Sequence, residues 1–91
     1  MADVIITFKI MPENPEVDLA AVEEKAIHLI KEFGGEVGKK SVEPVAFGLN
    51  ALNLIFIMDE SIGATDSLEE DICKLEGVNS CEVTDVRRAL G

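Results

Sequence analysis

Residues 49–59 set the strongest limit on what this chain can fold into. Leu52, Leu54, Phe56 and Met58 fall on alternate positions, and Ile55 and Ile57 make the intervening positions apolar as well. A strand apolar on both faces belongs inside a sheet, with a neighbour on each side and a covering layer over at least one face. The remaining segments must supply those neighbours and that layer.

Residues 4–11, reading VIITFKIM, supply the first neighbour: Ile6, Phe8 and Ile10 share one face while Thr7 and Lys9 take the other. Pro12 and Pro15 then withdraw backbone donors and bias their preceding residues away from helix, so 12–17 is a connector. Asp18 is a good N-cap for a helix starting at the next residue. From 19 to 33 the positions Leu19, Val22, Ala26, Leu29, Ile30 and Phe33 recur at three- and four-residue steps, which predicts a helix with one apolar stripe. Gly34-Gly35 ends it, because glycine enters the left-handed conformation without a Cβ penalty.

Residues 36–45 are more polar, anchored by Val37, Val42 and Val45, and Pro44 marks them as a sheet edge. Phe47-Gly48 lies between this strand and the central one, where a turn with an exposed tip is expected. After a loop at 59–64, Leu68, Ile72 and Leu75 repeat at helical spacing, with Asp66 and Glu69 in capping-box relation. This second helix is expected to reach about residue 76 and to stop at Gly77. Residues 78–86 alternate as a last strand, and a parity change between Val83 and Val86 implies either a bulge or an early strand end.

The order β-α-β-β-α-β predicts an α+β ferredoxin-like sandwich, a four-stranded antiparallel sheet with two helices on one face. Ninety-one residues leave room for one hydrophobic core, so a single domain over residues 1–91 is expected.

Eighteen acidic residues against eight basic ones give a formal net charge of −10. Such a field repels polyphosphate and attracts basic surfaces, so no direct nucleic-acid partner is expected; it equally serves solubility. Cys73 and Cys81 match neither a redox C-x-x-C motif nor a zinc knuckle, so free thiols in a reducing, cytoplasmic setting are expected, with no metal or cofactor. The apolar runs are far too short for a membrane span.

Catalytic signatures are absent from the sequence. His28 falls opposite the apolar stripe of the first helix, and the acidic pairs Glu23-Glu24 and Glu69-Glu70 lie on faces that meet water. No phosphate-cradling glycine loop or nucleophile elbow is present, nor are the base-stacking aromatics of an RNA-binding sheet. The chain therefore reads as a non-enzyme. Two local features stand out: Phe47 beside Gly48, and the basic pair Arg87-Arg88 near the end of an acidic chain. Phe47 either packs at the rim of the core or anchors a partner. The arginines either serve solubility and carboxylates of the same domain or fork onto a partner's carboxylate or phosphate.

Three blocks together resemble the archaeal translation elongation factor 1-beta family. They are EPVAFGLNAL at residues 43–52, GATDSLEE at 63–70 and VTDVRRAL at 83–90. The resemblance spans essentially the whole chain and implies one guanine-exchange-factor domain that stimulates GDP release from elongation factor 1-alpha. It further implies a monomer, with Phe47 and Gly48 matching the family's Pro-x-x-aromatic-Gly turn, whose aromatic enters a pocket of the GTPase. Arg87 and Arg88 stand near the place where the eukaryotic domain carries a magnesium-disturbing lysine that this chain lacks. Asn50 stands where many relatives carry a basic residue. On this reading the Phe47 turn, with the chain end as a second contact, docks beside the nucleotide site. The competing expectation is a metabolite-binding regulatory domain of the same fold, which requires an enclosed polar pocket.

Overall fold

In a computed structural model that describes residues 2–89, the two most apolar segments pair with each other. Strand β1 (Asp3–Pro12) runs antiparallel to β3 (Asn50–Asp59), with Ile6 opposite Phe56, Phe8 opposite Leu54 and Ile10 opposite Leu52. Paired residues share a face, so these side chains form one apolar floor. Phe8 and Phe56 meet edge to face, their ring centroids 4.9 Å apart.

The sheet order is β2-β3-β1-β4, all antiparallel, with β2 (Glu36–Pro44) and β4 (Val78–Ala89) at the edges. This is the expected ferredoxin-like sandwich. Helix α1 (Leu19–Phe33) lays Val22, Ala26 and Ile30 on the floor, and α2 (Asp66–Cys73) adds Leu68 and Ile72. The Asp18 carboxylate accepts from the amides of Ala20 and Ala21, and Gly34, at φ 113°, closes α1. At the next position a Cβ would lie 2.9 Å from both Ile30 and Phe56, so Gly35 lets the chain pass directly over the core. No helix of the described residues is long and apolar enough to cross a membrane.

Two details differ from expectation. Thr65 takes the N-cap position of α2 and its hydroxyl donates to Glu69 at 3.3 Å, so Asp66 is the first helical residue and forms no capping box. The helix also ends at Cys73. The amides of Leu75 and Val78 donate to carbonyls three residues back, which tightens the chain so that it can turn into β4.

The parity change in the last strand is a bulge. Asp85 faces Thr7 and Val83 faces Phe8, which leaves Thr84 as the extra residue, and the strand continues through Arg87 and Arg88 to Ala89. On the face without helices, Ile5, Ile55 and Ile57 are half-buried. Lys9 and Glu43, from the strands flanking β3, approach to 3.9 Å across it, and Ala51, opposite Glu43, is fully buried.

Replacing Phe56 by alanine removes one half of the ring pair at the centre of this floor. Equilibrium unfolding in urea should show a loss of about 3–5 kcal/mol for Phe56→Ala. A loss below about 1 kcal/mol would show that the floor is not where stability resides.

Candidate functional site

The hairpin that joins β2 to β3 closes with Pro44 opposite Asn50. Within it the Val45 amide donates to the Leu49 carbonyl at 2.8 Å, and the Leu49 amide returns to the Ala46 carbonyl at 3.3 Å. These bonds hold a one-turn 3-10 segment, Ala46–Gly48, at the tip. Phe47 sits there at φ 62° and ψ 30°, the non-glycine residue with positive φ among those described, and Gly48 follows at φ 74°.

That conformation is costly for phenylalanine. Left-handed backbone costs an L-residue roughly 1–2 kcal/mol, and glycine or asparagine tolerates it far better. The ring recovers nothing from the domain, because Phe47 is 94% exposed. Packing at the rim of the core is thereby excluded. A strained backbone that presents a bare aromatic ring to water is an arrangement found where strain serves function.

Arg87 and Arg88 lie in β4 opposite Ile5 and Val4, and so point to opposite faces of the sheet. Arg87 Nε donates to Asp85 Oδ2 at 2.9 Å. Arg88 Nε and Nη2 both donate to Glu60 Oε2, at 3.0 and 2.6 Å. Carboxylates of the same domain therefore hold both guanidinium groups. The pairs are solvated and contribute little stability, so they bias the cations toward these positions without fixing them. Each arginine keeps further N–H donors for a second partner.

The structure does not bring the two candidate groups together. Strand β3 starts beside the Phe47 turn and ends opposite the start of β1, where the arginines pair. The separation along the strands is roughly 25–30 Å at ~3.3 Å per residue, in a molecule whose longest extent is 42 Å. Phe47 and the pair Arg87-Arg88 therefore stand at opposite ends of the sheet, as two separate candidate groups. Leu90 and Gly91, on which the missing lysine bears, lie outside the described residues.

The rest of the surface carries little chemistry. The imidazole of His28 is exposed and lies 2.9 Å from Glu32, one helical turn on. Among the described residues no group of three or more His, Cys, Asp or Glu is arranged to hold a metal ion. The clefts lined by Val17 and Gly77, by Val4 and Val86, and by Ile27 and Val37 are partly open to solvent, unlike the enclosed polar pocket a metabolite would need. Cys73 is exposed, whereas burial, with the neighbouring Cys73, Glu69 and Glu82 adding to it, pushes the Cys81 thiol up to about 12. Glu60, which orients Arg88, was not visible in the sequence, since a lone loop acid gives no signal.

A short two-layer domain that presents an aromatic ring at a strained hairpin tip has the character of a protein-docking factor. A family model described as the EF-1 guanine nucleotide exchange domain matches residues 5–89. The chain is 46% identical over 90 residues to the elongation factor 1-beta of Methanothermobacter thermautotrophicus, an overlap covering 99% of this chain and 100% of that one. It is 49% identical, with the same coverage, to that of Methanobrevibacter smithii. With that of Staphylothermus marinus it is 40% identical over 89 residues, 97% of this chain and 98% of the other. The chain belongs to the EF-1 guanine nucleotide exchange domain family. A nucleotide-exchange role in translation elongation follows from that membership.

Because the Phe47 ring buries nothing, Phe47→Asn should leave the fold intact and raise its unfolding free energy by about 0.5–1 kcal/mol through relief of backbone strain. A clear loss in urea unfolding would mean the ring packs on the domain. In thiol titration at pH 8, Cys73 should react promptly and Cys81 far more slowly, since a thiol with so high a pKa holds almost no thiolate there. Equal rates would contradict the burial of Cys81.

Proposed function

We propose that this chain promotes GDP release from elongation factor 1-alpha, so that the factor can rebind GTP and then aminoacyl-tRNA. The observation that carries the reading is Phe47: 94% exposed, in a conformation the domain itself gains nothing from adopting. Filling a pocket on a partner returns the free energy of burying the ring and offsets the strain.

Exchange by this route makes and breaks no covalent bond and needs no cofactor. A partner that binds the nucleotide-free GTPase more tightly than its GDP form must weaken GDP binding by the same factor. One copy of the domain, acting as a monomer, meets the GTPase at two places, the Phe47–Gly48 turn and the Arg87–Arg88 end. A rigid sheet between them sets their spacing, so docking at both ends favours one conformation of the GTPase over another. The net charge of −10 speeds encounter with a basic, tRNA-binding surface.

Release of fluorescent GDP from the host's elongation factor 1-alpha provides the test. Phe47→Ala should lower the stimulated rate by about tenfold or more, in the range of interface hot spots. Release at the wild-type rate would remove Phe47 from the mechanism. The double variant Arg87→Ala, Arg88→Ala should slow release by a few fold, most clearly at low ionic strength. An unchanged rate would leave the arginines with their intramolecular carboxylates alone.

A further inference from the structure

Of the three sequence blocks that carry the family resemblance, the first holds the Phe47 turn, the third holds Arg87 and Arg88, and the second has no role so far. The second and third blocks lie apart in the chain, yet the fold brings residues 63–66 and Glu69 of one and Val83 and Val86 of the other to one groove. Its origin is geometric. Helix α2 has eight residues and is about 12 Å long at 1.5 Å per residue. Strand β4 has twelve and extends roughly 37 Å at ~3.3 Å per residue. The helix therefore leaves the far end of the strand uncovered on the core side. The bulge at Thr84 turns both Val83 and Val86 to that side, opposite Phe8 and Ile6.

The result is an open cleft of about 480 Å³. Val4, Ile6, Met58, Val83 and Val86 line it, and Val86 remains 59% exposed. Glu60, Asp66 and Glu69 provide its carboxylates. Among the described residues one cation is paired with them: Arg88, which is bound to Glu60. The groove thus combines an apolar floor with an excess of negative charge, so it disfavours nucleic acid and acidic peptides.

We propose that this groove seats a lysine or arginine of elongation factor 1-alpha together with an adjoining aliphatic side chain. The floor takes the apolar stem and its neighbour, while Asp66 and Glu69 receive the charged head. Such an occupant matches both halves of the lining, and the groove opens at the same end of the sheet as Arg87 and Arg88, continuous with the second contact. This inference rests on the partner assigned above and specifies the chemistry of its second contact.

The test measures binding of the full-length chain to nucleotide-free elongation factor 1-alpha of the host by calorimetry at about 0.05 M and about 0.5 M salt. Asp66→Asn with Glu69→Gln should weaken binding about tenfold at the lower salt and far less at the higher, where screening already removes the attraction. Val86→Asn should weaken it about fivefold at both, since it removes apolar contact and no charge. Val86 is exposed enough for that variant to fold, so the prediction stands even if the acidic pair proves needed to start α2. Wild-type affinity in both variants, with Phe47→Ala still impaired, would overturn the groove and leave the exchange reading in place. Failure of the unmodified chain to bind would remove both. A dimer of this chain that Val86→Asn dissolves would assign the groove to a second copy and overturn the proposal.

Discussion

The antiparallel pairing of β1 with β3 is the constraint on which the rest of the molecule depends. It aligns Ile6, Phe8 and Ile10 with Phe56, Leu54 and Leu52, and one step of slippage would turn every one of these side chains away from the helices. Both helices bury their apolar residues in the core built on this floor, and α2 also packs against α1 and β4. With two central strands paired, β2 and β4 can only be edges. The edges and their connections carry both candidate contacts: the Phe47 turn at one end and the arginines with their groove at the other.

This architecture suits the nucleotide-exchange role of the family. The sheet is a stiff spacer whose ends are set by strand length, and the groups at each end are held by local devices. Backbone bonds inside the hairpin impose the strained tip, and carboxylates two residues away or in a neighbouring loop orient the arginines. Neither device stabilises the domain appreciably. Under the proposed function they present an aromatic ring at one end of the sheet and two cations at the other, and linkage between partner binding and GDP affinity would act through them.

Much of this was legible in the sequence, for reasons that can be named. Period-two alternation in residues 4–11 and 49–59 reports burial directly, and Asp18 and Gly34 bracket α1 because caps are local chemistry. The bulge at Thr84 left a visible trace, a change of parity between Val83 and Val86, though only pairing with β1 could distinguish it from an early strand end. Long-range geometry was not legible. That Phe47 and Arg88 stand at opposite ends depends on strand direction and order, not on any residue near either. The capping of α2 also escaped, since Thr65 and Asp66 are both competent caps and the entry path of the loop decides between them. Phe47 stood out in the sequence as an aromatic beside glycine at a turn and again in the family resemblance, but its backbone strain emerged only from the structure.

The central claim is that this chain weakens GDP binding by preferring the nucleotide-free GTPase, and an equilibrium linkage measurement tests it most directly. The GDP affinity of the host's elongation factor 1-alpha is measured with and without saturating chain, and the chain's affinity for the GDP-bound and nucleotide-free factor is measured in parallel. The two ratios should be equal and at least about fivefold, the lower range of allosteric coupling. A GDP affinity unchanged by saturating chain would contradict the claim.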